Sequence, residues 1–320
     1  MRPVLLDVDT GIDDALALTL AVRHPELDVR AVTCVAGNTA VDQVVRNTLT
    51  VLDAAGGTRI PVARGAERPL LAASRDASHV HGEDGLGDLG VPPSPRRPVE
   101  IHAVELMRLQ LLDSTTPVTM IALAPLTNVA LLLRMYPEAA AKLERLVVMG
   151  GAASVGNATP VAEFNVWHDP EAAAIVFGAG LPVTMYGLDV FYQVGISGEE
   201  AAKLAVSEDL GTCLVGRLLA GQVAKVHSEQ RIPPGTATIG DAGAVCAVAD
   251  PAGLNTSSLP VRVSLEGEDT RGQTIVDRRS RPGESDLAGR AQATRVDVAL
   301  EVDAERYRRL FLDVACRGEA

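Results

Sequence analysis

Between Pro3 and Tyr186 the chain alternates short apolar runs with amphipathic segments, and no other feature restricts its fold as tightly. Pro3–Val8 precedes Ile12–Arg23, and Val29–Cys34 precedes Val41–Ala54. Val118–Leu123 precedes Leu126–Met135, and Leu146–Met149 and Pro170–Phe177 precede Pro182–Tyr186. Apolar runs too short to be helices, each followed by a segment of helical period, read as strand then helix. Repeated strand–helix units predict an α/β fold with a mostly parallel central sheet flanked by helices, a Rossmann-like open sheet. Pro260–Leu265 with Gln273–Val276 predicts a small antiparallel C-terminal extension, Val296–Val302 a further strand, and Ala304–Cys316 a closing helix.

Two stretches interrupt the alternation. Glu67–Pro98 carries five prolines' worth of breaks at 69, 92, 93, 95 and 98 around the glycine-rich run His81-Gly82-Glu83-Asp84-Gly85-Leu86-Gly87. A loop of that length is commonly a lid or a binding loop. Gly187–Gly240 contains helical patterns around Glu199–Val206 and Thr212–Val226, and predicts a helical cap at about 187–240 on a single catalytic domain spanning 1–320.

Composition narrows the partners. A formal net charge of −12, with basic stretches such as Arg96-Arg97 too short to reverse it, argues against a polymeric nucleic acid as a partner. Cys34, Cys213, Cys246 and Cys316 lie far apart and form no metal or redox motif. No leader pattern and no apolar run of about 18 residues is present, which predicts a soluble cytoplasmic protein without membrane contact.

In open α/β sheets, ligands bind beyond the carboxyl ends of the strands. After the first strand come Asp7, Asp9, Asp13 and Asp14. Two unit charges about 4 Å apart repel by about 4 kcal/mol at an effective dielectric of about 20, so the group needs protons, hydrogen bonds or a cation. Asp13 and Asp14 could serve only to favour a helix start, but that leaves Asp7 and Asp9, at the end of a buried strand, unexplained. Oxygen ligands without cysteine or histidine suit calcium or magnesium rather than zinc. Calcium takes six to eight oxygens, and Asp241, at a Gly-Asp-Ala-Gly helix start, is the distant acid that can supply one.

The segment Asp7-Val8-Asp9-Thr10-Gly11-Ile12-Asp13-Asp14-Ala15 resembles the signature of the nucleoside hydrolases, the inosine-uridine-preferring N-ribohydrolases. The similarity continues, in order, at Val35-Ala36-Gly37-Asn38, His81-Gly82-Glu83-Asp84-Gly85-Leu86, Ala124-Pro125-Leu126-Thr127-Asn128, Met149-Gly150-Gly151, Glu163-Phe164-Asn165 and Thr270-Arg271-Gly272-Gln273-Thr274-Ile275-Val276-Asp277. The resemblance implies metal-dependent hydrolysis of the N-glycosidic bond of a ribonucleoside, releasing base and ribose. It implies calcium, with magnesium second, held by Asp9, Asp14, the Leu123 carbonyl and Asp241. It makes Asp9 the general base, Asp13, Asn38, Asn157, Glu163 and Asn165 ribose contacts, and Met149 the residue packed against the sugar. Asp7 becomes support behind the ligands, and the assembly a homodimer or homotetramer.

One position departs from the family pattern. The histidine commonly found before the last metal-binding aspartate is here Gly240, which offers neither a proton nor a hydrogen bond to a leaving base. His81 is the first candidate to contact the leaving group, with His227, Glu229 and Arg231 as others. Two different functions stay open on sequence alone. A calcium-dependent ribosyl-binding protein with weak or no hydrolysis would tolerate Gly240. A haloacid-dehalogenase-type phosphatase also begins with Asp-x-Asp after a strand, but leaves Asp13 and Asp14 without a role.

Overall fold

The computed structural model describes residues 1–225, 232–279 and 294–316. In chain order the first half comprises β1 (Arg2–Val8), α1 (Ile12–Arg23), β2 (Leu27–Cys34), α2 (Val41–Ala55), β3 (Val62–Arg64), α3 (Ser78–His81), α4 (Ala103–Asp113), β4 (Val118–Ala122), α5 (Thr127–Met135), α6 (Pro137–Ala140) and β5 (Leu143–Met149). The second half comprises α7 (Phe164–His168), α8 (Pro170–Phe177), β6 (Val183–Tyr186), α9 (Leu188–Phe191), β7 (Gly195–Ser197), α10 (Gly198–Leu204), α11 (Leu210–Lys225), β8 (Thr236–Thr238), α12 (Ala242–Ala249), β9 (Leu254–Val263), β10 (Thr274–Val276), β11 (Arg295–Val302) and α13 (Ala304–Ala315).

Among the described residues the strands form a nine-stranded sheet in the order β10-β9-β11-β6-β5-β4-β1-β2-β3. Pairing is parallel from β3 across to β11, and antiparallel only where β9 meets β11 and β10. The chain first builds outward from β1 through β2 to β3, then returns to the other side of β1 with β4. The order reverses at β1 and β4, and the crevice beyond their carboxyl ends is where such sheets bind ligands.

Alternate residues of each strand feed two cores, as the two-residue period of a strand requires. Val4, Leu6 and Val8 of β1, with Ile121 and Val147, pack under α1, α2, α11, α12 and α13. Leu5 of β1, with Met120, Ala122, Leu146 and Val148, packs under α4, α5 and α8. Burying each such aliphatic side chain stabilises the fold by about 1.5–3 kcal/mol, so both faces of the sheet are strongly fixed. Asp7 is the exception in β1, a carboxylate on the same side as Leu5, and its presence there calls for partners.

The open sheet and antiparallel C-terminal pair match the pattern read from sequence. Several elements do not follow from that pattern. β3 has three residues, too few to show alternation, and α4 lies in a stretch that proline and charged flanks obscure. Between residues 187 and 240 the described chain contains α9, α10 and α11 together with a two-stranded antiparallel sheet of β7 and β8. His227, Glu229 and Arg231 lie outside the described residues. Cys34, Cys213, Cys246 and Cys316 are free thiols. No described helix is long and apolar enough to cross a membrane.

Candidate active site

The strand ends of β1, β4 and β5 bring the aspartate loop together with residues far away in sequence. Asp9 leaves β1 just past its last residue, and its Oδ2 accepts from the Asn38 backbone N–H at 2.7 Å. Asp14 lies in the first turn of α1, where its carboxylate reaches back to accept from the N–H of Gly11 at 2.9 Å and of Asp9 at 3.3 Å. The Asn38 amide donates to the other side of the pair, reaching Asp14 Oδ2 at 3.3 Å. Gly37 allows this approach, because a Cβ there would overlap the Asp9 carboxylate.

Asp241, contributed by the start of α12, completes the cluster from the opposite side of the crevice. It sits at the N-cap position without using its side chain to cap the helix. Oxygens of Asp13, Asp14 and Asp241 lie within 4.8 Å of one another. Burial, followed by the mutual repulsion with Asp13, raises Asp14 to about 8. Burial and then the field of Asp14 push Asp9 well above the carboxylate range, and burial and then Asp13 do the same to Asp241. Asp13 Oδ1 is buried and has no hydrogen-bond partner among the described residues.

These observations test whether a metal fits. A dense set of oxygen donors, with Asp9, Asp14 and Asp241 pushed toward protonation by burial and then by neighbouring carboxylates and Asp13 Oδ1 an orphan, suits a hard divalent cation whose charge would oppose those shifts. The donors fit. The compact group is Asp13, Asp14 and Asp241, however, whereas sequence reasoning set Asp13 aside for the sugar and named Asp9 a ligand.

Around the carboxylates stand the other residues singled out from sequence. Leu123 follows β4 directly, and its carbonyl accepts from Asn165 Nδ2 at 2.9 Å. The same amide donates to the Met149 carbonyl at 3.2 Å and contacts Met149 Sδ at 3.4 Å, so one side chain ties the ends of β4 and β5 together. Glu163 is buried at the N-cap of α7, where its two oxygens accept from the N–H groups of Asn165, Gly151 and Val166 at 2.8, 2.9 and 3.1 Å. Burial nonetheless raises it to about 7. Asn165 is in the first turn of a helix that Glu163 caps. Asn157 is exposed in the preceding loop, with its Oδ1 accepting from Phe164 N–H at 2.9 Å.

His81 is brought from the glycine-rich loop to the start of α1. Its Nδ1 accepts from the Ile12 backbone N–H at 3.1 Å and lies 3.8 Å from Asp13 Oδ1. Because Nδ1 is an acceptor, the neutral ring carries its proton on Nε2. Burial pushes the imidazole below its ordinary range although Asp13 pulls the other way. The result is a neutral hydrogen-bond donor beside the carboxylates.

Behind the carboxylates, further polar residues brace the strand ends and loops. Asp7 Oδ1 accepts from Thr33 Oγ1 at 2.6 Å and from Asn128 Nδ2 at 2.9 Å. Asn128 also donates to the Cys34 carbonyl at 3.0 Å and accepts from Ala66 N–H at 2.9 Å. Burial still holds Asp7 at about 7. Asn47 of α2 donates to the carbonyls of Thr10 and Asp84 at 3.1 and 2.8 Å, linking the aspartate loop to the loop that carries His81. A polar residue on the inner face of an amphipathic helix was the only available clue.

Comparison with known proteins agrees with this layout. The sequence profile described as inosine-uridine preferring nucleoside hydrolase matches residues 4–309. A pyrimidine-specific ribonucleoside hydrolase RihA from Shewanella sp. (strain ANA-3) is 42% identical over 278 residues, covering 87% of each chain. Among solved structures, a plant nucleoside hydrolase superposes with a TM-score of 0.89 at 30% identity, covering 98% of both chains. A purine-preferring ribonucleoside hydrolase from Gardnerella vaginalis gives 0.88 at 29% identity, covering 98% of both chains. Neither the phosphatase reading nor a fold unrelated to hydrolysis is compatible with a match that runs the length of the sheet and its loops. The chain belongs to the inosine-uridine preferring nucleoside hydrolase family.

Proposed function

We propose that the chain hydrolyses the N-glycosidic bond of pyrimidine ribonucleosides, with calcium held by Asp9, Asp14, Asp241 and the Leu123 carbonyl. The convergence of buried carboxylates supports this reading more than any other observation: Asp13, Asp14 and Asp241 lie within 4.8 Å of one another, and Asp9 stands next to Asp14. The pyrimidine assignment draws on the activity of relatives that are 39–42% identical, pyrimidine-specific ribonucleoside hydrolases. When bound, the cation would supply positive charge that orients the ribose hydroxyls and acidifies a water molecule.

The chain's own groups account for the remaining chemistry. Asp9 takes a proton from the attacking water, whose oxygen bonds to C1′ as the bond to the base breaks. The base leaves with that electron pair and takes up a proton from solvent, while the His81 Nε2–H group hydrogen-bonds its developing charge. Asp13, Asn38, Asn157, Glu163 and Asn165 bind the ribose hydroxyls, and Met149 packs against the sugar. The transition state is a positively charged, oxocarbenium-like sugar, so a pocket of carboxylates and carbonyl oxygens stabilises it electrostatically. Residues 1–320 act as one catalytic domain capped by about 187–240, working in the cytoplasm as a homodimer or homotetramer.

Asp9→Asn tests the assignment of the base. The amide cannot take a proton, and kcat on uridine should fall by about 10²–10⁴-fold with the metal still bound. A kcat near that of the parent would remove Asp9 from the role.

A further inference from the structure

Gly240, which precedes Asp241, has φ +53, a backbone conformation that side-chain-bearing residues rarely adopt. A Cβ placed there would stand 2.7 Å from Asp13 Cβ and 3.0 and 3.3 Å from Phe191 Cζ and Cε2. Neither neighbour can yield easily, since one is the root of a side chain in the carboxylate cluster and the other is the edge of a rigid ring. The site is built around the absence of a side chain at 240, so the missing imidazole is not a simple vacancy that one substitution would fill.

Phe191 is held in that place by its own support. Thr238 Oγ1 donates to the Phe191 carbonyl at 2.8 Å and accepts from Gly240 N–H at 3.1 Å, tying the end of α9 to the loop before α12. Ile239 N–H donates to the Val194 carbonyl at 3.1 Å, a second link between the same two segments. Tyr192 packs edge-on to the Phe191 ring, centroids 5.0 Å apart. Asp13 therefore has two unlike flanks. On one, His81 Nδ1 lies 3.8 Å from its carboxylate; on the other, next to Gly240, stands an apolar ring edge.

We propose that Phe191 is a specificity-determining residue, its ring forming the wall beside the leaving base that a side chain at position 240 would otherwise form. The inference rests on the nucleoside-hydrolase reading. A hydrocarbon edge gives no proton and no hydrogen bond, so among the described residues His81 is the donor left to the departing base. A departing uracil places charge on an exocyclic oxygen next to the glycosidic nitrogen, where a single donor suffices. A departing purine gains most from protonation at N7, across the five-membered ring from the glycosidic nitrogen, and the closed flank withholds it. General acid catalysis is worth about 10²–10⁴-fold, so this asymmetry is large enough to select pyrimidine over purine ribosides.

The test compares kcat/KM for uridine and inosine in the parent, Phe191→Ala, Phe191→Leu and Gly240→Ala, with inhibition by D-ribose as a control lacking a base. Phe191→Ala should narrow the uridine-to-inosine ratio by about 10-fold or more, with a smaller change for Phe191→Leu, and inhibition by D-ribose should stay constant. Gly240→Ala should depress both substrates alike and weaken D-ribose, because its Cβ pushes on Asp13 and not on the base. Should Phe191→Ala fail to fold, Phe191→Leu carries the comparison. An unchanged ratio in a folded Phe191 variant, a D-ribose effect as large as the substrate effect, or a parent that prefers inosine overturns the wall. A parent that releases ribose from neither substrate overturns the nucleoside-hydrolase reading itself.

Discussion

Replacing Asn47 with alanine should weaken the protein and its catalysis together. The residue is 4% exposed and its amide makes two donor bonds, to the carbonyls of Thr10 at 3.1 Å and Asp84 at 2.8 Å. Each is worth about 1 kcal/mol net, and leaving a buried carbonyl without a partner adds a desolvation penalty of about 1–3 kcal/mol. Thr10 is fully buried, whereas the Asp84 carbonyl keeps a second bond from Gln43 Nε2 at 3.3 Å, so the penalty falls mainly on the aspartate loop. Asn47→Ala should therefore lower the unfolding free energy by about 2–4 kcal/mol, short of the ~5–15 kcal/mol that typically separates folded from unfolded domains. Urea unfolding followed by circular dichroism measures this, with the slope against denaturant unchanged. Since Asp84 anchors the His81 loop and Thr10 adjoins Asp9, kcat on uridine should fall by about 10-fold, the effect of misplacing groups by a fraction of an ångström. Asn47→Asp, which keeps the shape but loses the donors, should do no better. A loss under ~0.5 kcal/mol with parental kinetics would show that neither loop depends on this bridge.

Two further outcomes follow from the same geometry. Gly37→Ala forces a Cβ into the Asp9 carboxylate and should reduce kcat by about 10-fold or more while the folded state survives; parental kinetics in a folded variant would mean that Asp9 can move freely. His168 is fully buried, its ring nitrogens have no partner among the described residues, and burial lowers it to about 4 from an ordinary value near 6.5. Its folded pKa is depressed, so the neutral ring is favoured on folding, and the contribution present above about pH 6.5 disappears as the pH falls toward 4, by about 3 kcal/mol at the lower end. His168→Phe should flatten that acid limb in a plot of melting temperature against pH, and an identical acid limb in both proteins would refute the assignment.

The parallel sheet was legible because β1, β2, β4, β5 and β6 are apolar runs buried on both faces, which leave continuous hydrophobic stretches in the sequence. The aspartate cluster was legible for the opposite reason, as carboxylates stand out at the end of such a run. Partnership was not legible. Asp13 groups with Asp241 because α12 begins opposite α1, a relation between helices separated by most of the chain. Asn47 and Asn128 act through buried amides that look, one residue at a time, like ordinary polar positions. Glu163 and Asn165 belong to a helix, α7, too short to show a period in the sequence, with Glu163 as its cap. Gly240 was visible as a missing histidine, and only the positions of Asp13 and Phe191 explain why the residue there is glycine.

The central claim, that the buried carboxylates exist to hold a cation for riboside hydrolysis, is tested most directly by a reducing-sugar assay on uridine. The protein is stripped with a chelator and then titrated with calcium. Ribose release should vanish in the stripped protein and return in proportion to calcium bound. Turnover indifferent to metal removal, or saturable uridine binding in the calcium-loaded protein with no ribose released, would contradict it.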